Sequence, residues 1–505
     1  MAVRKRFFGG LACAAATVMV VAGCAKTLDG KPISIGADPT QVAGKPVTED
    51  PSGLRPNAPG PVRPVEGGDG GDIDHLAAMA VADIEQFWAG AYGAPLKGKF
   101  APVKALFSWD SRYKHGRFCG GETANDQNAA WCGSARQNCP SSDSAACTSS
   151  KNTIGWDRGP YLTERRAGFG DMGVAMTLAH EYGHAIQYTM ADLIQGDTAA
   201  DGLAAEQQAD CFGGVYMRWV VDGKSPRFTL STGDALSNVM ATRIAVRDPL
   251  LAQSSPLVRG DELIHGSAFE RVTAFQFGFT EGTAACAGID AKEVLQRRAA
   301  LPKEFLEEGQ TGEYPVTQNA VKTMIETLTK VFSPANPPKL SFDPPSCSDA
   351  KPTPSASYCP STNTIAVDMN RLILLGTSLS RGSPFDSRAN SVFGDYTAYS
   401  VLASRFMLAI QKEHNQSLDN TDAGLRTACL TGVATTKLAK GVTLPNGNTI
   451  KLYGGDLDEA VSGVLTNGMI AGNVNGEFAP SGFARIDAYR TGVLGDQASC
   501  TKRWP

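Results

Sequence analysis

The sequence predicts an α+β protein made of two related domains, and its length and local patterns both point to this fold class. The chain has 505 residues, which is more than one hydrophobic core usually serves, so two globular units are the first expectation. Segments with helical spacing of apolar residues, such as the one that begins near Asp72, occur together with short strand-like segments such as residues 363–368. We therefore expect helices packed beside a small sheet.

An internal repeat supports the division into two domains. Three blocks of the first half recur in the same order in the second half, where residues 152–157 correspond to 363–368, 169–187 to 393–411, and 269–286 to 483–500. Short isolated matches can arise by chance, but three blocks in one order favour duplication of a whole domain. The predicted domains are residues 73–300 and residues 315–505.

The N-terminus has the order of segments found in a bacterial lipoprotein signal. Basic residues 4–6 precede an apolar stretch over residues 7–21, and small residues then lead to Cys24. We expect removal of residues 1–23 and acylation of Cys24, which would hold the protein on the extracytoplasmic face of the cell membrane. The alternative is an ordinary cleaved signal peptide in which Cys24 has no special role.

The segment after the signal and the net charge bear on possible partners. Residues 24–72 are rich in proline, glycine and polar residues and predict a flexible tether. Loss of residues 1–23 removes three basic and no acidic residues, so the formal net charge falls from −4 to −7. A mildly acidic mature chain argues against nucleic acid as a partner.

The cysteines predict a set of disulfides. The chain has 12 cysteines, and those that follow Cys24 are even in number, as expected for a fully bridged exported protein. The repeat narrows the pairing, because corresponding positions should pair alike. The expected bridges are Cys119–Cys132, Cys139–Cys147, Cys211–Cys286, Cys347–Cys359 and Cys429–Cys500. No thiol would then remain to act as a nucleophile.

The segment His180–His184, with the sequence His-Glu-Tyr-Gly-His, predicts a metal site. Two histidines four residues apart on a helix project from the same face and can reach one ion. Asp171 is a suitable N-cap for this helix, and Gly196 a suitable terminator. Glu181 follows the first histidine, where a general base could take a proton from water activated by zinc.

A third ligand is expected on a second helical segment that starts near Asp201. Glu206 and Asp210 lie four residues apart there, and so also share one face. This spacing suits one carboxylate that binds the metal and a second that orients a histidine ligand through its other ring nitrogen. The sequence therefore predicts one zinc ion per chain, bound by two histidines and one carboxylate of this second segment.

Residues 178–187, 206–214 and 265–272 resemble a bacterial family of neutral zinc metallopeptidases. The resemblance covers about residues 120–290 well and the second half only weakly. It implies a zincin-like fold in which His180, His184 and Glu206 bind zinc and Glu181 is the catalytic base.

The second half lacks the predicted site. The residues that correspond to His180, Glu181, His184, Glu206 and Asp210 are Ser404, Arg405, Leu408, Gly424 and Ala428. These side chains cannot bind zinc, so the second domain is predicted to be a degenerate, non-catalytic copy. His265 corresponds to Ala479 and is lost with the others. We expect His265 to stabilise an oxyanion, the alternative being a histidine without a role.

These patterns predict a zinc-dependent peptidase that acts on a peptide or protein substrate. One alternative is a non-catalytic envelope binding module with a structural zinc, and another is a zinc amidase that acts on cell-wall peptide. A structural zinc has no use for Glu181 and more often has a fourth protein ligand. Residues 152–157 could form an edge strand that a substrate extends. The sequence predicts neither the specificity nor the oligomeric state.

Overall fold

The structure is a computed structural model. It describes residues 27–28, 31–32, 38, 40–113, 116–133, 152–190, 199–248, 265–299, 301–302, 314–377 and 393–505. Residues 1–35 form one compact unit, whose described part is the antiparallel pair β1 (Thr27–Leu28) and β2 (Lys31–Pro32). Within the described ranges no helix has the length and apolar character needed to cross a bilayer. The predicted signal and Cys24 lie outside these ranges.

Residues 36–505 form the second compact unit, and helices are the main secondary structure of its described residues. In the first half the helices are α1 (Asp72–Ala91), α2 (Pro160–Phe169), α3 (Asp171–Thr189), α4 (Ala199–Val221), α5 (Asp234–Ala245), α6 (Ala268–Glu281), α7 (Thr283–Ala287) and α8 (Ala291–Arg298). In the second half they are α9 (Gln318–Phe332), α10 (Met369–Leu375), α11 (Asp395–Glu413), α12 (Thr421–Ala439), α13 (Gly454–Thr466), α14 (Gly482–Leu494) and α15 (Gln497–Arg503).

The strands of this unit are short and form small sheets. They are β3 (Gln41–Val42), β4 (Lys45–Pro46), β5 (Gly53–Leu54), β6 (Val65–Glu66), β7 (Ala105–Trp109), β8 (Arg117–Phe118), β9 (Gly121–Glu122), β10 (Ala129–Cys132), β11 (Thr153–Asp157), β12 (Phe228–Thr229), β13 (Lys339–Ser341), β14 (Ala356–Cys359), β15 (Thr364–Val367), β16 (Val442–Thr443) and β17 (Thr449–Ile450). The mixture of helices and small sheets confirms the predicted α+β class.

The largest sheet lies beside the helices of the first half. Its strand order is β10-β11-β7-β6, and β10 pairs antiparallel with β11, whereas β7 pairs parallel with both β11 and β6. In the second half a sheet of order β13-β15-β14 has the same pattern, since β14 is antiparallel and β13 parallel to β15. Strand β11 is therefore internal, and the suggestion that residues 152–157 form an edge strand is wrong. The edge strands of the four-stranded sheet are β10 and β6.

One hydrophobic core runs through both halves of residues 36–505. Helices α5 and α6 of the first half pack against α13 and α14 of the second. At this contact the rings of Phe279 and Phe483 lie 5.0 Å apart, and the side-chain amide of Gln276 donates to the Phe483 carbonyl over 3.0 Å. Because the two halves share this core, their packing does not separate them. The division into domains 73–300 and 315–505 therefore stays a prediction.

The predicted tether differs from the structure over residues 40–72. Strand β5 pairs with β12, and β6 joins the edge of the four-stranded sheet. Arg63 forms an ion pair with Glu85 over 2.8 Å. A composition rich in proline and glycine argues against a helix or a central strand, but it permits two-residue strands at sheet edges and packed loops. The folded part of the chain therefore begins well before Asp72.

The structure contains four of the five predicted disulfides. They are Cys119–Cys132, Cys211–Cys286, Cys347–Cys359 and Cys429–Cys500. The predicted pair Cys139–Cys147 lies outside the described residues. Pairing inferred from the internal repeat was therefore correct wherever the structure describes the cysteines.

Glycines set the closest helix contacts in both halves. A Cβ atom added to Gly278 on α6 would overlap the carbonyl oxygen of Cys211 on α4, and one added to Gly492 on α14 would overlap that of Cys429 on α12. Backbone therefore packs directly on backbone next to each long-range disulfide. These contacts fix the position of α6 relative to α4.

We expect Gly278→Ala and Gly492→Ala each to destabilise the protein by about 2 kcal/mol or more, because a methyl group must push two helices apart. Thermal or denaturant unfolding of the purified chain would measure the change. Gly90 is the matched control: it also lies in a helix, and its Cβ position is open. Gly90→Ala should be neutral or slightly stabilising. An unchanged unfolding midpoint in both core variants would contradict the assigned contacts.

Candidate metal centre

Helix α3 carries the histidine motif. It spans Asp171–Thr189 and begins after Gly170, so Asp171 lies in the first turn rather than at the N-cap. The Asp171 carboxylate accepts from the Leu54 backbone N–H over 3.2 Å and from Arg166 over 2.8 Å. The helix also ends before the predicted terminator Gly196, which lies outside the described residues. The motif lies inside the helix, since His180 comes nine residues after Asp171 and His184 five residues before Thr189.

Helix α4 approaches the motif because small residues face each other at the crossing. A Cβ atom added to Gly183 would lie 2.7 Å from the Cα of Ala209, so no larger residue fits at that position. This contact lies beside Glu206 and brings its carboxylate to the two histidines. Oε2 of Glu206 lies 3.2 Å from Nε2 of His180, and Oε1 lies 3.4 Å from Nε2 of His184.

The structure brings the three predicted ligands together. One ligand atom from each of His180, His184 and Glu206 lies within 4.8 Å of the other two. Oε2 of Glu206 is buried and makes no hydrogen bond to any described residue. A buried carboxylate oxygen without a donor is costly unless a cation binds it. Two imidazole nitrogens and one carboxylate oxygen are a donor set typical of catalytic zinc, so these residues fit the ion.

The other ring nitrogen of each histidine lies close to a polar side chain, through a hydrogen bond at His184 and an ion-pair contact at His180. Nδ1 of His184 lies 2.9 Å from Oε1 of Gln187, and the amide of Gln187 donates to the Ala205 carbonyl and to Gln208. Because the Gln187 amide nitrogen is committed to these acceptors, its oxygen accepts from Nδ1–H of His184. Nε2 is then unprotonated and available to a metal ion.

The other histidine, His180, contacts Asp210, the carboxylate that the sequence predicted to orient a ligand. Nδ1 of His180 lies 2.8 Å from Oδ1 of Asp210, whose side chain is fully buried. Arg271 donates to both oxygens of Asp210, over 2.8 and 3.1 Å, and Arg243 donates to Oδ1 over 3.0 Å. Two guanidinium groups therefore compensate a carboxylate that would otherwise be very costly to bury.

The charges around the centre oppose the effect of burial on pKa. Burial alone would lower the pKa of His180, but Asp210 and Glu206 raise it to about 9. Burial would raise the pKa of Glu206, whereas His184, His265 and His180 bring it below its usual value. The pKa of Asp210 is also well below normal, because Arg271, His180 and Arg243 outweigh burial. Both carboxylates are therefore ionised at neutral pH.

Glu181 lies beside the cluster. Its Oε2 accepts the backbone N–H of Trp131 over 3.0 Å, and its Oε1 lies 4.0 Å from Nε2 of His180. Trp131 belongs to the edge strand β10, and its neighbour Cys132 is bridged to Cys119. The sheet edge thus holds one oxygen of the carboxylate and leaves the other turned towards the histidine.

His265 reaches the same centre from the segment before α6. Its Nε2 lies 3.8 Å from Oε2 of Glu206, and its Nδ1 lies 3.3 Å from Oδ1 of Asp248. The backbone N–H groups of His265 and Gly266 also donate to Asp248, over 2.9 and 2.8 Å. With 40% of its side chain exposed, His265 borders the centre and is accessible to a ligand.

The corresponding part of the second half is filled by other contacts. Arg405, in the place of Glu181, donates to the carbonyls of Ala356, Gly472 and Met469. Leu408, in the place of His184, is fully buried. No donor set for zinc is found at these corresponding positions.

Sequence reasoning missed several residues around the centre. Gln187, Arg243 and Asp248 were not singled out, nor was the backbone of Trp131. Gln187 had a usable signal, since it lies three residues after His184 on the same helix. Arg243 and Asp248 act on residues distant in the sequence, and nothing in their local pattern indicates this.

The comparisons with known proteins agree with the geometry. Residues 160–289 match the family model described as "Putative neutral zinc metallopeptidase". No curated protein and no solved structure was found to match the chain. The matched segment contains the three clustered ligands together with Glu181, Asp210, Asp248 and His265. Residues 160–289 of this chain are therefore similar to the neutral zinc metallopeptidase family.

Proposed function

We propose that the protein is a zinc-dependent hydrolase that cleaves peptide bonds. The observation that carries this proposal is the convergence of His180, His184 and Glu206 with the Glu181 carboxylate beside them. A structural zinc site needs no such carboxylate, and it usually has four protein ligands. Among the described residues three ligands gather here, and a site with three protein ligands keeps one position open, which favours catalysis over a bracing role.

His180 and His184 would hold zinc through Nε2, and Glu206 through its carboxylate. When bound, the ion supplies Lewis-acid polarisation of a carbonyl and a lowered pKa for water. The chain contributes the orientation of the ligands. Gln187 and Asp210 hold the two rings by Nδ1, so that both Nε2 atoms are directed to one point before an ion arrives.

Glu181 is proposed to move the proton. Its Oε2 is held by the N–H of Trp131, while Oε1 faces the ligands. Oε1 would accept a proton from the attacking water and deliver it to the nitrogen of the leaving amine. Because Trp131 belongs to the edge strand, the same strand that fixes the base can line the path of an extended substrate.

His265 is proposed to stabilise the oxyanion. A hydrogen bond from Nε2 would become stronger as negative charge develops on the carbonyl oxygen of the substrate. Asp248, 3.3 Å from Nδ1, would orient the ring. This arrangement gives a role to a histidine that lies near the ligands without being part of the three-residue cluster.

Replacement of the base tests the proposal. Glu181→Gln should lower peptide cleavage by at least about 100-fold, because an amide cannot accept the proton, and should leave zinc content unchanged. His184→Ala should lose zinc and activity together. Metal analysis and cleavage of a broad peptide library would measure both. His414→Ala, at an exposed histidine in the second half, is the control and should behave as wild type.

Two results would overturn the proposal. Wild-type protein without zinc after purification in its presence would exclude the metal site. Glu181→Gln protein that cleaves as fast as wild type would exclude the mechanism, and the binding-module interpretation would then be preferred.

We also propose that the second half arose by duplication and is not catalytic. Asn152 and Asn363 both have positive φ angles, of 56° and 50°, and each accepts a hydrogen bond from an aromatic side chain of the neighbouring strand. Ser267 and Ser481 each cap the helix that follows. Such details are hard to explain by convergence, and they support a common origin for the two halves.

The mature chain is further proposed to be a lipoprotein anchored by Cys24. This proposal rests on the segment order of residues 1–24, with three basic residues, an apolar stretch and small residues before the cysteine.

Cys24→Ala should abolish incorporation of a labelled fatty acid and release the protein from the membrane fraction, because the acyl chains would be its only anchor. Cell fractionation with metabolic labelling would measure this. Cys13→Ala, inside the apolar stretch, is the matched control and should leave labelling intact. Retention of the label in the Cys24 variant would contradict the proposal.

A further inference from the structure

We infer that Asp458, on the second half, is a positioning residue for the metal centre on the first half. This inference rests on the proposed zinc-dependent function and assigns a task to the degenerate copy. Asp458 contacts two short segments of the first half, the N-terminus of α6 and the segment after α5. Each segment carries a residue that orients a histidine of the centre.

The Asp458 carboxylate is fully buried at the contact between the halves. It projects from α13, which packs on α5 and α6. Its Oδ1 lies 3.4 Å from the backbone nitrogen of Phe269 and accepts that N–H. The first turn of a helix leaves N–H groups without partners inside the helix, and a carboxylate placed there also meets the positive end of the helix dipole.

The N-terminus of α6 uses a capping residue from each half. Ser267 accepts the Glu270 N–H, and Glu270 in turn accepts the Ser267 N–H. That capping box leaves the Phe269 N–H to Asp458. The first half alone therefore satisfies only part of this helix end, and the second half supplies the remaining acceptor.

The second contact of Asp458 is electrostatic. Its Oδ2 lies 3.7 Å from Nε of Arg247, and within the described residues neither atom forms a hydrogen bond. Burial raises the pKa of Asp458 to about 6, against the opposite effects of Arg247 and of the N–H groups of Ala268 and Phe269. Glu270 also faces it and raises the pKa. At neutral pH the carboxylate is therefore mainly charged, and its attraction for Arg247 is only weakly screened.

Both contacts lie next to residues that orient the centre. Arg271, two residues after Phe269, donates to both oxygens of Asp210, which holds His180. Arg271 also donates to the Val246 carbonyl over 2.7 Å. Asp248 directly follows Arg247 in the chain, and its carboxylate contacts the ring and the backbone N–H of His265.

The burial of the Asp458 carboxylate favours a specific role over simple packing. Burial of an isolated carboxylate is strongly unfavourable, so an apolar side chain would join the halves at a smaller energetic cost. Asp458 instead occupies a position where its charge acts on Arg247 and on the start of α6. Loss of that charge should let both segments shift, and the histidines should lose their fixed orientation.

The test uses the full chain with Asp458→Asn, which keeps the shape and removes the charge. We expect zinc affinity, measured by competition with a chelator, to fall by about 10-fold, the lower end of the cost of losing an outer-shell partner. In peptide cleavage with saturating zinc, kcat should fall by a similar factor while KM changes little. Arg247→Met removes the other charge and should produce the same pattern.

The matched control is Gln276→Met. Gln276 lies on the same helix α6 and donates to Phe483 across the same contact, but it does not reach the centre. Its loss should lower the unfolding midpoint without changing zinc affinity or kcat. If all three variants change zinc affinity in proportion to their loss of stability, Asp458 is merely structural and the inference fails.

The outcomes separate the two proposals. Wild-type protein that binds zinc but cleaves no peptide would overturn the peptidase proposal, while zinc affinity would still test Asp458. Wild-type protein that cleaves peptides while Asp458→Asn binds zinc and turns over normally would overturn the inference alone. Should Asp458→Asn fail to fold, Arg247→Met decides by the same measurements. Wild-type protein that binds no zinc would overturn both.

Discussion

The buried carboxylate of Asp210 is the interaction on which the arrangement of the centre depends. It lies where α4 faces α3 and α6, and it is in contact with one imidazole and two guanidinium groups. A carboxylate in that position is tolerable only while all of its partners stay in place. The charge therefore ties α3, α5 and α6 to α4, and it orients His180 at the same time.

Small residues make this electrostatic arrangement geometrically possible. Gly183 lets α3 approach Ala209, and Gly278 lets α6 approach the backbone at Cys211. The charged groups can then meet over distances of about 3 Å without long, flexible connections. The ion-pair network thus depends on the close packing of these helices. The disulfide Cys211–Cys286 links the chain covalently at the same place.

The sequence was sufficient for features that depend on local spacing. Two histidines four residues apart, and two acidic residues four residues apart, define helix faces whatever the rest of the fold. The internal repeat also predicted the cysteine pairing, because corresponding positions should have corresponding partners.

Contacts that depend on the packing of distant segments could not be predicted from the sequence. Asp248 meets His265, and Asp458 meets Phe269, only after the helices have assembled, and no periodicity marks either residue. The folding of residues 40–72 was missed for the same reason, since β5 and β6 are defined by their partners.

The shared core of the two halves sets a limit on how the protein can be divided. The segment matched by the family model ends at residue 289, yet the apolar faces of α5 and α6 continue into α13 and α14. A shortened chain that stops near residue 300 would expose the Phe279 side of α6 to solvent and favour aggregation. The smallest piece suitable for expression, labelling or crystallisation is therefore set by the core that residues 36–505 share, and is much longer than the segment that matches the family model.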